Sequence, residues 1–287
     1  ATPLLQRAYV EITNICNLRC DFCPGTRRAP TAMSPGDFGQ LAEKLRPHTR
    51  YLYLHVMGEP LLHPQLSEIL SVCCALDFRV CLTTNGFLLP EKLPILRAAP
   101  CLHRVHISLH AYEANRTPLT LPDYIRGCVE SAVTLSEGGV TCILRLWNRG
   151  GGDVRNGEIE ALIGQFARRD MASLPTDRKG SRRLLPHLFV ENADKFHWPG
   201  DPTYRGSDAQ FCYGLRRQIA VLCDGTVVPC CLDGEGHIPL GNLFTQSIDE
   251  ILTSDRAQKI LRGFDCRQPA EEFCRRCGFA SRFNVPL

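Results

Sequence analysis

Six short runs rich in β-branched and aromatic residues constrain this chain more than any other feature: 8–13 (AYVEIT), 51–56 (YLYLHV), 79–84 (RVCLTT), 104–109 (RVHISL), 141–147 (TCILRLW) and 187–191 (HLFVE). Segments of helical periodicity separate them, at 34–46, 64–76, 90–99, 122–137 and 158–168. Ser34 precedes Pro35 as an N-cap, Asn85-Gly86 ends the third run, and Gly138-Gly139 stops the longest helix. Strands alternating with helices in this way form successive βα units, which predict an α/β fold with a parallel sheet. Such a sheet either lies open or curls toward a barrel, and periodicity does not distinguish the two. In both, ligands collect at the carboxyl ends of the strands.

Beyond about residue 200 the alternation stops. Residues 218–228 (QIAVLCDGTVV) predict a hairpin turning at Asp224-Gly225, residues 247–261 a single helix, and the tail carries cysteines. The chain is therefore expected to divide into a domain at 1–205 and a smaller one at 206–287. The smaller one can bury only a modest core, so a stapling metal site is physically reasonable. The basic stretch TDRKGSRR at 176–183 reads as an exposed loop.

A formal charge of +3 supports neither a nucleic-acid nor a membrane partner. No run approaches the roughly 18 apolar residues that span a bilayer, so a cytoplasmic monomer is expected. Disulfides do not persist in that compartment, which leaves 16 cysteines to explain. Cys73, Cys74, Cys81, Cys101, Cys128 and Cys142 lie in or beside apolar periodic segments and read as small buried hydrophobes. Cys16, Cys20, Cys23, Cys212, Cys223, Cys230, Cys231, Cys266, Cys274 and Cys277 sit among Gly, Pro, Asn and Arg and are the ligand candidates.

The first three stand in NICNLRCDFCP, directly after the first strand, spaced C-x3-C-x2-C. Three thiolates on one loop leave a metal or an iron–sulfur cube with an open position, as catalytic zinc sites have. The spacing alone is moderately specific, and a zinc or redox site with a distant fourth ligand is the alternative to it.

This triplet, with Phe22 before its third cysteine, resembles the signature of the radical S-adenosylmethionine superfamily. Gly58-Glu59-Pro60 after the second strand resembles that family's motif for the methionine amino group. The resemblance extends over about residues 8–192 and implies a partial (β/α)6 TIM-like barrel. It also implies a [4Fe-4S] cluster held by Cys16, Cys20 and Cys23, with S-adenosylmethionine chelating the fourth iron and cleaved by one electron to a 5′-deoxyadenosyl radical. Asn85, Ser108 and His110 fall where the family contacts this cofactor. Arg145 falls where relatives pair with its carboxylate.

In the C-terminal part, Cys212 and Cys230 flank the predicted hairpin and Cys274 and Cys277 form a C-x2-C pair. Together they make a closed four-thiolate site for zinc or a cube. The order FCYG, DGTVVPCC, GNLF, SIDEIL and CRRC resembles the SPASM and twitch modules of the same superfamily, which implies an auxiliary [4Fe-4S] cluster. With no further cysteine after Cys277, the chain is similar to the one-cluster twitch type of the butirosin-pathway deoxy-scyllo-inosamine dehydrogenase. Cys231 and Cys266 stay ambiguous, and Cys223 reads as structural.

A cluster closed by four thiolates suits electron transfer, so the resemblance implies a radical oxidoreductase. Hydrogen abstraction from a small molecule or peptide side chain would be followed by loss of one electron, in a dehydrogenation or a bond formation. An external flavodoxin- or ferredoxin-type donor is expected. Modification of a ribosomal peptide, a protein or RNA is the alternative. The near-immediate first strand leaves no room for a leader-binding domain, and the weak charge argues against RNA. A non-enzymatic electron carrier or zinc protein ranks last. Glu191 and His197 are accessible as general bases, and neither is assigned.

Overall fold

The computed structural model describes residues 5–283. Leu52, Leu54, Val80, Leu82, Val105, Ile107, Leu144 and Val190 are completely buried. They alternate along their strands with Tyr53, Cys81, Arg104, His106 and Arg145, so each strand gives helices an aliphatic face and keeps a polar one opposite.

The parallel frame is β1 (Arg7–Val10), β2 (Tyr51–Tyr53), β3 (Arg79–Thr84), β4 (Leu102–Ser108), β5 (Thr141–Arg149), β6 (Ser181–Leu185) antiparallel beside it, and β7 (Leu188–Asp194). Helices α1 (Pro35–Leu45), α2 (Leu66–Ala75), α3 (Leu89–Arg97), α4 (Leu121–Glu137) and α5 (Asn156–Ala167) connect it. Ser34 and Thr120 cap α1 and α4, accepting from the N–H of Asp37 and Asp123.

The hairpin β8 (Gln218–Val221) and β9 (Thr226–Val228) joins the same sheet, because β8 lies parallel to β1. A two-residue β10 (Gly241–Asn242) follows, giving the order β10-β9-β8-β1-β2-β3-β4-β5-β7-β6. The sheet is curled. Strands β2 and β4 are two spacings apart, about 10 Å if flat, yet the rings of Tyr53 at the end of β2 and His106 on β4 stack 6.3 Å apart on the inner face. The question that periodicity left open is thus resolved in favour of a partial barrel.

Three expectations are corrected. Residues 181–185, read as part of a basic loop, form edge strand β6. Its Arg182 and Arg183 put charge on the sheet edge, where it discourages pairing with another chain. The single helix expected at 247–261 is two, α6 (Ile248–Leu252) and α7 (Asp255–Asp265), because Ser254 turns its hydroxyl to the N–H of Ala257 and starts a new helix. A short α8 (Glu272–Arg275) follows. Cys74 and Cys101 are joined as a disulfide rather than reduced, since α2 brings the two Cα atoms within 5.0 Å. Cys73, Cys81, Cys128 and Cys142 are buried free thiols, as expected. Among the described residues no helix is long and apolar enough to cross a membrane.

Candidate metal centres and the face between them

The triplet loop leaves β1 and is pinned at its base by Asn14, which donates to the Ala29 carbonyl at 2.9 Å and accepts from the Thr31 N–H at 2.7 Å. Cys16 is exposed, and Cys20 and Cys23 are half-buried. The three thiols are close enough for Cys16 and Cys23 to act electrostatically on Cys20. Burial raises all three, Cys20 to about 11. Bare thiolates are therefore disfavoured here, and a metal group replacing three protons would relieve that cost. The Leu18 N–H points at the Cys16 sulfur and the Gly25 N–H at that of Cys23, both at 3.5 Å.

Glu59 meets this loop from the second strand end. Its backbone N–H donates to the Ile15 carbonyl at 2.8 Å, and Gly58 before it has φ +80° with Thr13 where a Cβ would stand. The Glu59 side chain is 2 % exposed and accepts from the N–H of Leu61 at 3.0 Å and of Asn85 at 2.8 Å. Burial pushes its pKa to about 7, against the pull of those donors. Pro60 opens the short turn that Glu59 caps. The Asn85 amide donates to the Asn17 side chain at 2.8 Å and points toward the Cys16 sulfur.

From the fourth strand, the His110 ring packs 5.0 Å from that of Phe22, which links it to the triplet. Burial lowers its pKa to about 4, so it is neutral at pH 7. Ser108 lies in register with Arg145. Arg145 turns to the inner face of the sheet: its guanidinium lies 4.2 Å over the Trp147 ring, and its charged neighbours are Glu191 and Arg104. Glu191 accepts from the Trp147 indole N–H at 2.9 Å. His197 is on the surface, paired with Asp201 at 2.9 Å.

Sequence reasoning missed Asn115. Its amide donates to the Cys20 sulfur at 3.1 Å, and its oxygen accepts from the Arg19 N–H at 3.0 Å. Nothing local marks it, since the partners are 95 residues apart. Cys16, Asn17, Arg19, Glu113 and Asn115 line a cleft of about 650 Å³.

Cys212, Cys230, Cys274 and Cys277, the second candidate ligand set, line one small cavity walled by Pro199, Pro229, Ile238, Phe264 and Phe273. Burial raises all four thiols, Cys277 to about 11. Four thiols in an apolar wall fit an iron–sulfur cluster, whose thiolates attach at separate corners. Among the described residues no group of His, Cys, Asp and Glu side chains is gathered tightly enough for a single metal ion. Cys231 turns the other way, onto the Tyr9 hydroxyl at the inner face, and Cys266 is exposed at the end of α7. The Cys223 thiol donates to the Glu11 carbonyl at 3.1 Å.

The family model of the Radical SAM superfamily matches residues 10–133, and that of the SPASM iron–sulfur cluster-binding domain matches residues 212–278. The two matches imply S-adenosylmethionine, a [4Fe-4S] cluster and an auxiliary cluster. BtrN, solved in complex with AdoMet and 2-DOIA, is similar over 96 % of this chain and 94 % of its own, with TM-score 0.62 and 18 % identity. Streptococcus suis SuiB bound to S-adenosylmethionine is similar over 96 % and 72 %, with TM-score 0.59 and 15 % identity. A GTP 3',8-cyclase from Corynebacterium glutamicum is 34 % identical over 139 residues, 42 % of this chain and 36 % of the relative. The match thus spans about a third of that relative's length.

Proposed function

This chain belongs to the radical S-adenosylmethionine superfamily and carries a SPASM-type iron–sulfur domain, and from that premise we propose that it oxidises a small-molecule or peptide substrate by two electrons. The outcome is a dehydrogenation or a bond formation. The observation that carries this reading is the separation of two thiol sets: Cys16, Cys20 and Cys23 at the strand ends, and Cys212, Cys230, Cys274 and Cys277 around their own apolar cavity. The first set would hold a [4Fe-4S] cluster with one iron free for S-adenosylmethionine, and the second an auxiliary cluster. When bound, these groups supply hydrogen-atom abstraction and an acceptor for the substrate's remaining electron.

The protein's own residues bind and orient. Glu59, buried and fixed by two backbone donors, presents a carboxylate suited to an ammonium group. Phe22, Gly58, Pro60, Asn85, Ser108 and His110 complete the proposed cofactor contacts. Arg145, expected to pair with the cofactor's carboxylate, turns to the inner face over Trp147 and is assigned instead to the substrate, which lies on that face between the two thiol sets. The core is assigned to 1–205 and the auxiliary-cluster domain to 206–287. A flavodoxin- or ferredoxin-type protein would supply the first electron. A second reading, ring closure on a nucleotide, draws on the likeness to GTP 3',8-cyclases.

Anaerobic reconstitution with iron, sulfide and zinc analysis tests the main reading. About eight irons per chain, from two four-iron sites, with 5′-deoxyadenosine released on reduction, is the expected result. Four irons with one zinc, or no cleavage by the reconstituted protein, would overturn it.

A further inference from the structure

The inner face of the sheet holds buried nitrogens with nothing to bind. Arg104 Nε, Arg145 Nε, His55 Nδ1 and His106 Nδ1 are shielded from solvent and have no hydrogen-bond partner among the described residues. Buried polar groups are almost always paired, so four orphans on one face call for a missing partner. They are arranged in steps. Arg104 is in register with Cys81, His106 with Thr83 one step nearer the strand ends, and Arg145 with Ser108 one step further, toward the triplet.

The charge on this face is positive. Burial and the nearby Arg145 hold His55 neutral, down to about 3, and burial with Arg145 and Arg104 holds His106 well below its usual range. Arg7 adds a third guanidinium, 5.3 Å over the Tyr53 ring. Of the carboxylates, Glu191 faces Arg145 and offsets one positive charge, and Glu11 is taken by Arg28. Tyr9, Tyr53 and Cys81 complete the wall with groups whose ionisation burial suppresses. One carboxylate does not balance the three guanidiniums of Arg7, Arg104 and Arg145, so a cation would be repelled here and a neutral ligand would leave positive charge uncompensated.

The geometry points to an anionic substrate, with a phosphate or carboxylate group seated against Arg104, Arg145, His55 and His106 and the reacting carbon rising toward the triplet. The inference rests on the reading that substrate lies on the inner face. Planar guanidiniums pair bidentately with either anion, and the imidazoles add neutral donors.

The test is calorimetric titration of the anaerobically reconstituted full chain, saturated beforehand with S-adenosylmethionine so that the cofactor's own carboxylate is in place, at constant ionic strength, with inorganic phosphate in one arm and malonate in the other. One saturable site per chain is expected in at least one arm. Preference for phosphate identifies a phosphorylated substrate, and preference for malonate a carboxylate. Arg104→Met and Arg145→Met should each weaken that binding at least tenfold. Arg104→Met should not lower the thermal midpoint, because its Nε has no hydrogen bond to lose, whereas Arg145→Met gives up the Trp147 stack and the attraction of Glu191 and should lower it modestly. If a Met variant fails to fold, Arg145→Lys, which keeps the charge but loses the fork, carries the comparison and should weaken binding severalfold. No saturable heat in either arm, or binding untouched by the substitutions, would overturn the inference. Cleavage of S-adenosylmethionine is assayed on the same preparation. Protein that cleaves but binds neither anion sinks this inference alone, whereas protein that binds an anion but never cleaves sinks the functional reading and supports the site.

Discussion

The Arg28 guanidinium closes two hydrogen bonds on the Glu11 carboxylate, 2.8 Å to Oε1 and 2.7 Å to Oε2. Glu11 is completely buried and also accepts from the N–H of Met57 at 3.1 Å and of Cys223 at 3.2 Å. One carboxylate at the end of β1 thus ties together the triplet loop, the approach to Gly58 and the turn of the β8–β9 hairpin. Arg28→Leu leaves that carboxylate buried without its counter-ion. It should destabilise the cluster-free protein by roughly 3 kcal/mol or more, measured by anaerobic denaturant unfolding. Glu11→Gln keeps the shape and should cost less.

The two ambiguous cysteines are separable by iron content. Cys231→Ser and Cys266→Ala should retain full iron, because one thiol faces Tyr9 and the other solvent. Cys230→Ala or Cys212→Ala should lose about four irons per chain, one cluster's complement, while 5′-deoxyadenosine formation persists.

Gly58→Ala combines a left-handed φ of +80° with a collision against the Thr13 carbonyl. A loss of about 1–3 kcal/mol is expected, together with weaker S-adenosylmethionine binding in equilibrium dialysis. Gly25→Ala, with φ +64° but open space around it, should cost less and serves as the comparison.

Acid should destabilise the protein through its inner-face histidines. His55, pushed down to about 3, takes up its proton only on unfolding. Its contribution is complete above about pH 6.5 and is lost as pH falls toward 3, with a slope of up to about 1.4 kcal/mol per pH unit. Unfolding free energies measured between pH 5 and 7 should show a shallower slope for His55→Gln than for the wild type.

The Asn115 amide, 3.1 Å from the Cys20 sulfur, should raise the reduction potential of a cluster bound there by withdrawing charge from the thiolate. Asn115→Leu should lower the potential in a redox titration followed by electron paramagnetic resonance. An unchanged potential would reduce Asn115 to a loop staple.

The alternation of short strands with capped helices was legible because each element's pattern is local: Ser34, Asn85-Gly86 and Asp224-Gly225 act within a few residues of themselves. The cysteine spacings were legible for the same reason. Strand β6 was hidden because an edge strand rich in Arg carries the composition of a loop. The break at Ser254 was hidden because a serine inside an apolar period looks like any polar helical residue.

By itself, then, the sequence determined the βα order, the strand ends that carry the triplet and Gly58-Glu59-Pro60, and the presence of a second thiol set. Those follow from nearest-neighbour sterics and hydrophobic period. Only the tertiary structure decided that Cys230 faces the apolar cavity while Cys231 faces Tyr9, that Asn115 reaches Cys20, and that Arg104, His106 and Arg145 share one buried face. Each of these depends on the curl of the sheet, which sums contacts between strands far apart in the chain.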